Sequence, residues 1–282
     1  MRASRDGRRR GRPALGRREA PAVAAHRPGP LRGLAIDLGS SGARAWVPGQ
    51  GLVGGPSGWE DGVGRPVRRG RIVDPESCAG LLGRLADTAL GAHRQDSVIV
   101  LSHPVLAGHG HRVLARELLA GLGVSGAVVL NSAGAVAACA GGPDGGPMLV
   151  VDMGAELTEV ALLVDGTVVD ARQAEAGLSD LEPLSLPAGL ARNVLDMITS
   201  MWREDQHGAV RGALRRGPVL TGGGALRRDV TDRIAGCLGV PVRVDPDPST
   251  AVVRGAALIL GSVLGSVGAG AGAVSVRPVR LR

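Results

Sequence analysis

Lysine, phenylalanine and tyrosine are absent from this chain of 282 residues, and its only Trp residues are Trp46, Trp59 and Trp202. Leu, Val and Ala must therefore fill any core, and 46 glycines point to many close backbone approaches. Arginine in place of lysine, with abundant Ala, Gly and Pro, matches drift in a GC-rich genome rather than any particular function. Cysteine is nearly as scarce. Cys78, Cys139 and Cys237 lie too far apart to suggest a disulfide framework or a zinc site, which fits a reducing cytosol. One uncharged stretch near the end of the chain has to be weighed as a membrane span. The stretch between Arg254 and Arg277 is long enough to span a bilayer, but glycines from Gly255 to Gly272 dilute it. It reads as a buried helix followed by a flexible glycine-rich tail over 263–282.

The formal net charge of +7 belongs to the start of the chain. Residues 1–32 hold ten Arg against Asp6 and Glu19, so the other 250 residues sum to one negative charge. That near-neutral remainder argues against a sequence-specific nucleic-acid face. Residues 1–30 read as a disordered Arg-rich tail without the apolar segment of a secretory signal. Its arginines suit an anionic lipid surface, at about 1 kcal/mol each. A disordered start, or a mis-assigned initiation codon, explains them equally well. The expected location is cytoplasmic, with membrane-peripheral contact through this tail as the variant reading.

Periodicity divides the rest into two similar halves. Residues 34–38 and 43–47 read as strands, and 48–70 as a Gly/Pro-rich loop with room for a short strand. Asp74-Pro75-Glu76 opens a helix, with Asp as cap and Pro in the first turn. Strands at 97–101 and 127–130 flank a helix near 110–120, and 132–140 is a helix of very small residues. The second half begins with strands at 148–151 and 160–164, the latter turning at Asp165-Gly166, a strong hairpin signal. Helices follow at 187–202, around Leu226–Cys237 and over 249–260, with strands at 218–220 and 240–244. The expected units are a first lobe over 31–145 and a second over 146–262, facing each other across a cleft.

Each half opens on the same pattern. Ile36-Asp37-Leu38-Gly39-Ser40 and Val151-Asp152-Met153-Gly154-Ala155 both read apolar–Asp–x–Gly–small. An Asp where a strand meets a tight glycine turn can aim a carboxylate at a cation while the turn's N–H groups face an anion. Asp also caps such turns without any further role, but the matched offsets of Gly39 and Gly154 favour function. A third glycine loop, Thr221-Gly222-Gly223-Gly224, follows the strand at 218–220. His103, His109 and His111 lie close together, but no fourth ligand has suitable spacing, so an exposed loop is the expectation.

These residues resemble the actin / heat-shock-chaperone / sugar-kinase ATPase superfamily, and within it the MreB-type bacterial actins. The resemblance covers roughly residues 31–262. It implies an α/β, two-lobed actin-like ATPase core of duplicated ribonuclease-H-like units, with ATP and Mg2+ between the lobes. Asp37, Gly39, Ser40 and Ser41 resemble the first phosphate loop. Asp152, Gly154 and Glu156, through Thr158-Glu159-Val160, resemble the second. Gly222, Gly223 and Gly224 resemble the adenosine loop, and Gly177 the point where a strand meets the nucleotide. Mg2+ would be held near Asp37 and Asp152 through water. The implied function is a cell-shape-associated cytoskeletal protein that binds adenine nucleotide and associates with itself or with an envelope protein.

The departures point to slow hydrolysis or none. Glu156 stands where the family has glycine, and a carboxylate there repels phosphate. Asn131 or Ser132 falls where the family carries the water-orienting group, and neither is a good base. Only about a dozen residues separate Gly177 from the helix near Leu190, so the outer subdomains are expected to be reduced or missing. Two other functions fit the same core. One is a nucleotide-independent chaperone-like or scaffold module with Trp59 as a contact anchor. The other is a small-molecule kinase, for which no convincing acid stands out.

Overall fold

The computed structural model describes residues 32–53, 57–58, 65–141 and 145–269. The Arg-rich start and Trp59 lie outside them. The first half contributes β1 (Arg32–Gly39), β2 (Gly42–Val47), β3 (Gly51–Leu52), β4 (Ser57–Gly58), β5 (Val67–Arg68), β6 (Arg71–Ile72), α1 (Pro75–Leu90), β7 (Ser97–His103), α2 (His109–Ala120), β8 (Gly126–Asn131) and α3 (Ser132–Ala140). The second contributes β9 (Met148–Met153), β10 (Thr158–Val164), β11 (Thr167–Ala174), α4 (Leu186–Glu204), α5 (Ala209–Arg216), β12 (Val219–Thr221), α6 (Arg228–Leu238), β13 (Arg243–Val244) and α7 (Ala251–Ala269).

The two main sheets have one topology. Their orders are β3-β2-β1-β7-β8, with β4 also on β2, and β11-β10-β9-β12-β13. In each, the first strand pairs antiparallel with its hairpin partner on one side and parallel with a later strand on the other. Local signals set the elements as the residues predict. Asp74 caps α1 by accepting from Ser77 N at 3.0 Å, with Pro75 in the first turn. Asp165 (φ 49°) and Gly166 (φ 74°) supply the two left-handed residues of the β10–β11 turn.

Helices cover both faces of both sheets. α1 and α2 bury Leu82, Leu90 and Leu119 against Leu34, Ile36 and Leu101 of the first sheet. α4, α5 and α6 bury Leu190, Ile198, Leu214 and Ile234 against the second. The facing sides share a third core, and here the helices are exchanged. α7, from the second half, lies on the first sheet, so a Cβ on Gly33 of β1 would meet Leu260 at 2.7 Å. α3, from the first half, brings Ala133 and Val136 to Val150, Ala161 and Leu163 of the second. The helices touch at Gly255, where a Cβ would stand 1.8 Å from the Ala135 carbonyl oxygen. The small residues of α3 are what permit this approach.

Three features differ from the sequence reading. α7 continues through 263–269, into the stretch read as a flexible tail, because Val263 and Leu264 still pack on the shared core. The 48–70 loop contains several short strands rather than one, among them β5, whose hairpin partner β6 lies just beyond it. α5 escaped notice because Arg211, Arg215 and Arg216 mask a short buried stripe of Val210, Ala213 and Leu214. The chain passes from β11 to α4 through 175–185 alone, so the outer additions are reduced to hairpins and short loops. Among the described residues no helix is long and apolar enough to cross a membrane.

Candidate functional site

The β1–β2 and β9–β10 turns line opposite walls of one cleft of about 400 Å³. Asp37, Gly39, Ser40 and Ser41 come from the first; Asp152, Gly154 and Glu156 come from the second; Gly222 and Gly223 close one end. Strand register repeats itself in chemistry. Asp37 stands between Arg44 on β2 and Ser102 on β7. Asp152 stands between Glu159 on β10 and Thr221 on β12. Ser102 Oγ donates to Asp37 Oδ1 at 2.7 Å, and Thr221 Oγ1 to Asp152 Oδ1 at 3.4 Å.

The carboxylates are unequal. Burial raises Asp37 above its usual range, against the Ser102 hydrogen bond and the Arg44 charge. Burial, then repulsion from Asp37, pushes Asp152 up to about 6. Glu159 rises to about 8, through burial and then the Asp152 charge. Its carboxyl accepts from Val105 N at 2.8 Å and Ser132 Oγ at 3.2 Å, so a second-lobe side chain is fixed by first-lobe groups. At neutral pH Glu159 carries its proton and is no base.

Glu156 is buried and already engaged. It accepts from Arg65 Nη1 at 3.1 Å and from Arg69 N at 3.0 Å. Arg69 (φ 48°) and Gly70 (φ 72°) form the β5–β6 turn, which reaches from the first lobe over the cleft mouth. The Arg69 guanidinium continues to Asp180 Oδ1 at 2.8 Å and to the Glu175 carbonyl, and Arg71 pairs with Glu175. A Cβ on Gly70 would meet Leu157 and Pro104, each at 2.7 Å. The hairpin is therefore a strap between the lobes, and Glu156 is its anchor.

The remaining candidates take supporting positions. Asn131 caps α3, accepting from Gly134 N at 2.7 Å, and is not in the cleft lining, whereas Ser132 is. Gly177 backs the second turn, where a Cβ would stand 2.5 Å from the Gly154 oxygen. Gly224 packs on Met153, while Gly222 (φ 79°) leaves only 2.4 Å between a Cβ and Asp152 Oδ1. Of the site partners, Glu159 and Thr221 fall inside the quoted motifs without a role, and Arg44 and Ser102 outside them; strand register would have pointed to all four. His103 is buried at the end of β7 rather than in an exposed loop; its ring centroid is 6.3 Å from that of His111, and burial lowers both pKa values.

The donors suit direct coordination of a metal poorly. Among the described residues no three His, Cys, Asp or Glu side chains converge to hold one. Asp37 and Asp152 each already accept a hydroxyl, and the Arg44 charge acts on both. A larger hollow, about 1,020 Å³, opens beside α4 and α5. It has none of the paired turns.

No protein-family profile matches the chain, and no curated protein matches it. Solved structures do. MreB5 of Spiroplasma citri bound to ADP superposes with TM-score 0.72 at 16% identity, over 85% of this chain and 99% of that one. The same protein bound to AMPPNP gives 0.74 at 16%, over 86% and 100%. The ethanolamine utilization protein EutJ from Carboxydothermus hydrogenoformans gives 0.56 at 18%, over 82% and 90%. Two sheets of one topology, exchanged helices and a shared cleft are thus the actin-like ATPase fold, in a form similar to MreB5.

Proposed function

We propose that this chain is an MreB-like, cell-shape-associated actin homologue that binds adenine nucleotide between its lobes, with slow hydrolysis or none. The observation carrying this reading is the convergence of both Asp–x–Gly turns and the Gly222–Gly223 loop on one cleft. The likeness to MreB5 structures that hold ADP and AMPPNP supports it. Backbone N–H groups of the two turns would receive phosphates, and the close backbone of the third loop would lie against the nucleoside. Mg2+ was expected beside Asp37 and Asp152 through water, and the described side chains include no set of three that would hold it directly. Weak turnover follows from the side chains. Asn131 is spent on a helix cap, Ser132 on Glu159, and Glu159 holds its proton.

Location in the cytoplasm, and association with itself or an envelope protein, belong to the same proposal. Calorimetric titration of the full chain with ADP and ATP tests the nucleotide reading. Saturable binding is expected, with a thermal shift equivalent to about 2.7 kcal/mol at a hundred times Kd. No heat and no shift at millimolar nucleotide would favour a nucleotide-independent scaffold. That second reading has an observation behind it, since the strap already ties the lobes through Glu156. Sedimentation with and without nucleotide tests assembly, and nucleotide-dependent pelleting is the expected result.

A further inference from the structure

We infer that Arg44, rather than a divalent ion, supplies the positive charge that receives the ligand's phosphates, so that the cleft takes nucleotide free of metal. This rests on the nucleotide reading above and adds to it the charge state of the ligand. Arg44 is the one Lys or Arg among the described residues of the cleft lining. It projects from β2 at the position paired with Asp37, half-buried. Its charge acts on Asp37 of the first lobe, on Asp152 of the second and on Asp247 ahead of α7. The guanidinium therefore sits in the field of both lobes at once.

The neighbouring arginines are occupied. Arg65 is held by Glu156, Arg69 by Asp180 and the Glu175 carbonyl, Arg71 by Glu175, and Arg254 by Asp245. The Arg44 guanidinium makes no hydrogen bond or ion pair among the described residues. A half-buried guanidinium facing an open cleft is an anion receptor, and its planar fork matches two phosphate oxygens. A divalent ion beside Asp37 and Asp152 would be repelled by that positive charge.

The test is calorimetric titration of the full chain with ADP, in excess Mg2+ and in excess EDTA. For wild type the two Kd values should agree within about threefold. Arg44→Ala should weaken binding in EDTA by about tenfold or more, with Arg44→Lys between them because a point charge lacks the fork. Arg44→Gln, with its unfolding midpoint measured, guards against a variant that fails to fold. Wild-type binding that vanishes in EDTA, or Arg44→Ala binding equal to wild type in EDTA, overturns the inference and leaves the nucleotide reading intact. Absence of wild-type binding in both buffers overturns both.

Discussion

Glu159 and Asp152 hold protons in the folded chain that they release when it unfolds. Their ordinary values are 4.5 and 3.8, against about 8 and about 6 in the fold. Between those limits the native state binds more protons than the unfolded chain, so stability falls as pH rises. For Asp152 the loss is complete by about pH 6, and for Glu159 by about pH 8. Urea midpoints should therefore decline from about pH 5 to about pH 8, and Glu159→Gln should flatten the upper part of that slope. A wild-type midpoint that is flat or rising over this range contradicts the buried, protonated carboxyl. Asp37 and Asp152 were legible in the sequence because a strand running into glycine is a local pattern. Arg44 and Ser102 were not, and Glu159 and Thr221 were visible only as members of motifs, since all four become site partners through strand register. Glu156 was legible as a departure, but its partners lie 91 and 87 residues away.

At the scale of elements, the α3–α7 crossing and the strap hold the lobes together. Gly255→Ala forces a Cβ toward the Ala135 carbonyl oxygen, with a separation of 1.8 Å before any relaxation. The helices must move apart, at a cost of about 2 kcal/mol or more in urea unfolding. A change within a few tenths of a kcal/mol would mean that the helices do not pack this closely. Glu156→Ala leaves the buried end of the strap without its acceptor and should cost about 1–3 kcal/mol. Trypsin should then cut within 65–71 several-fold faster, with other sites unaffected. Equal cleavage in both proteins would show that Glu156 does not anchor the hairpin. The strap was illegible because its two-residue turn, Arg69-Gly70, lies in a Gly/Pro-rich run where short strands leave no periodicity. α3 could be read as a tightly packed helix from its small residues, but not its crossing onto the other lobe's sheet.

The whole molecule is two copies of one unit joined through a common core, and that core makes the lobes interdependent. Ala35, Val98 and Val100 share it with Val150, Leu163 and Val219, with α3 and α7 between. Urea unfolding should accordingly be a single transition, coincident by circular dichroism and Trp fluorescence. Two separated transitions would mean that each lobe stands alone. The duplication itself was legible, because the repeated Asp–x–Gly turn and the matching sequence of strands and helices imply it. What most directly tests the account is hydrogen exchange with and without ADP, read at both Asp–x–Gly turns and at the loop after β12. A ligand held between the lobes should protect 39–42, 154–157 and 222–224 together. Protection confined to one lobe, or none at saturating nucleotide, would contradict it.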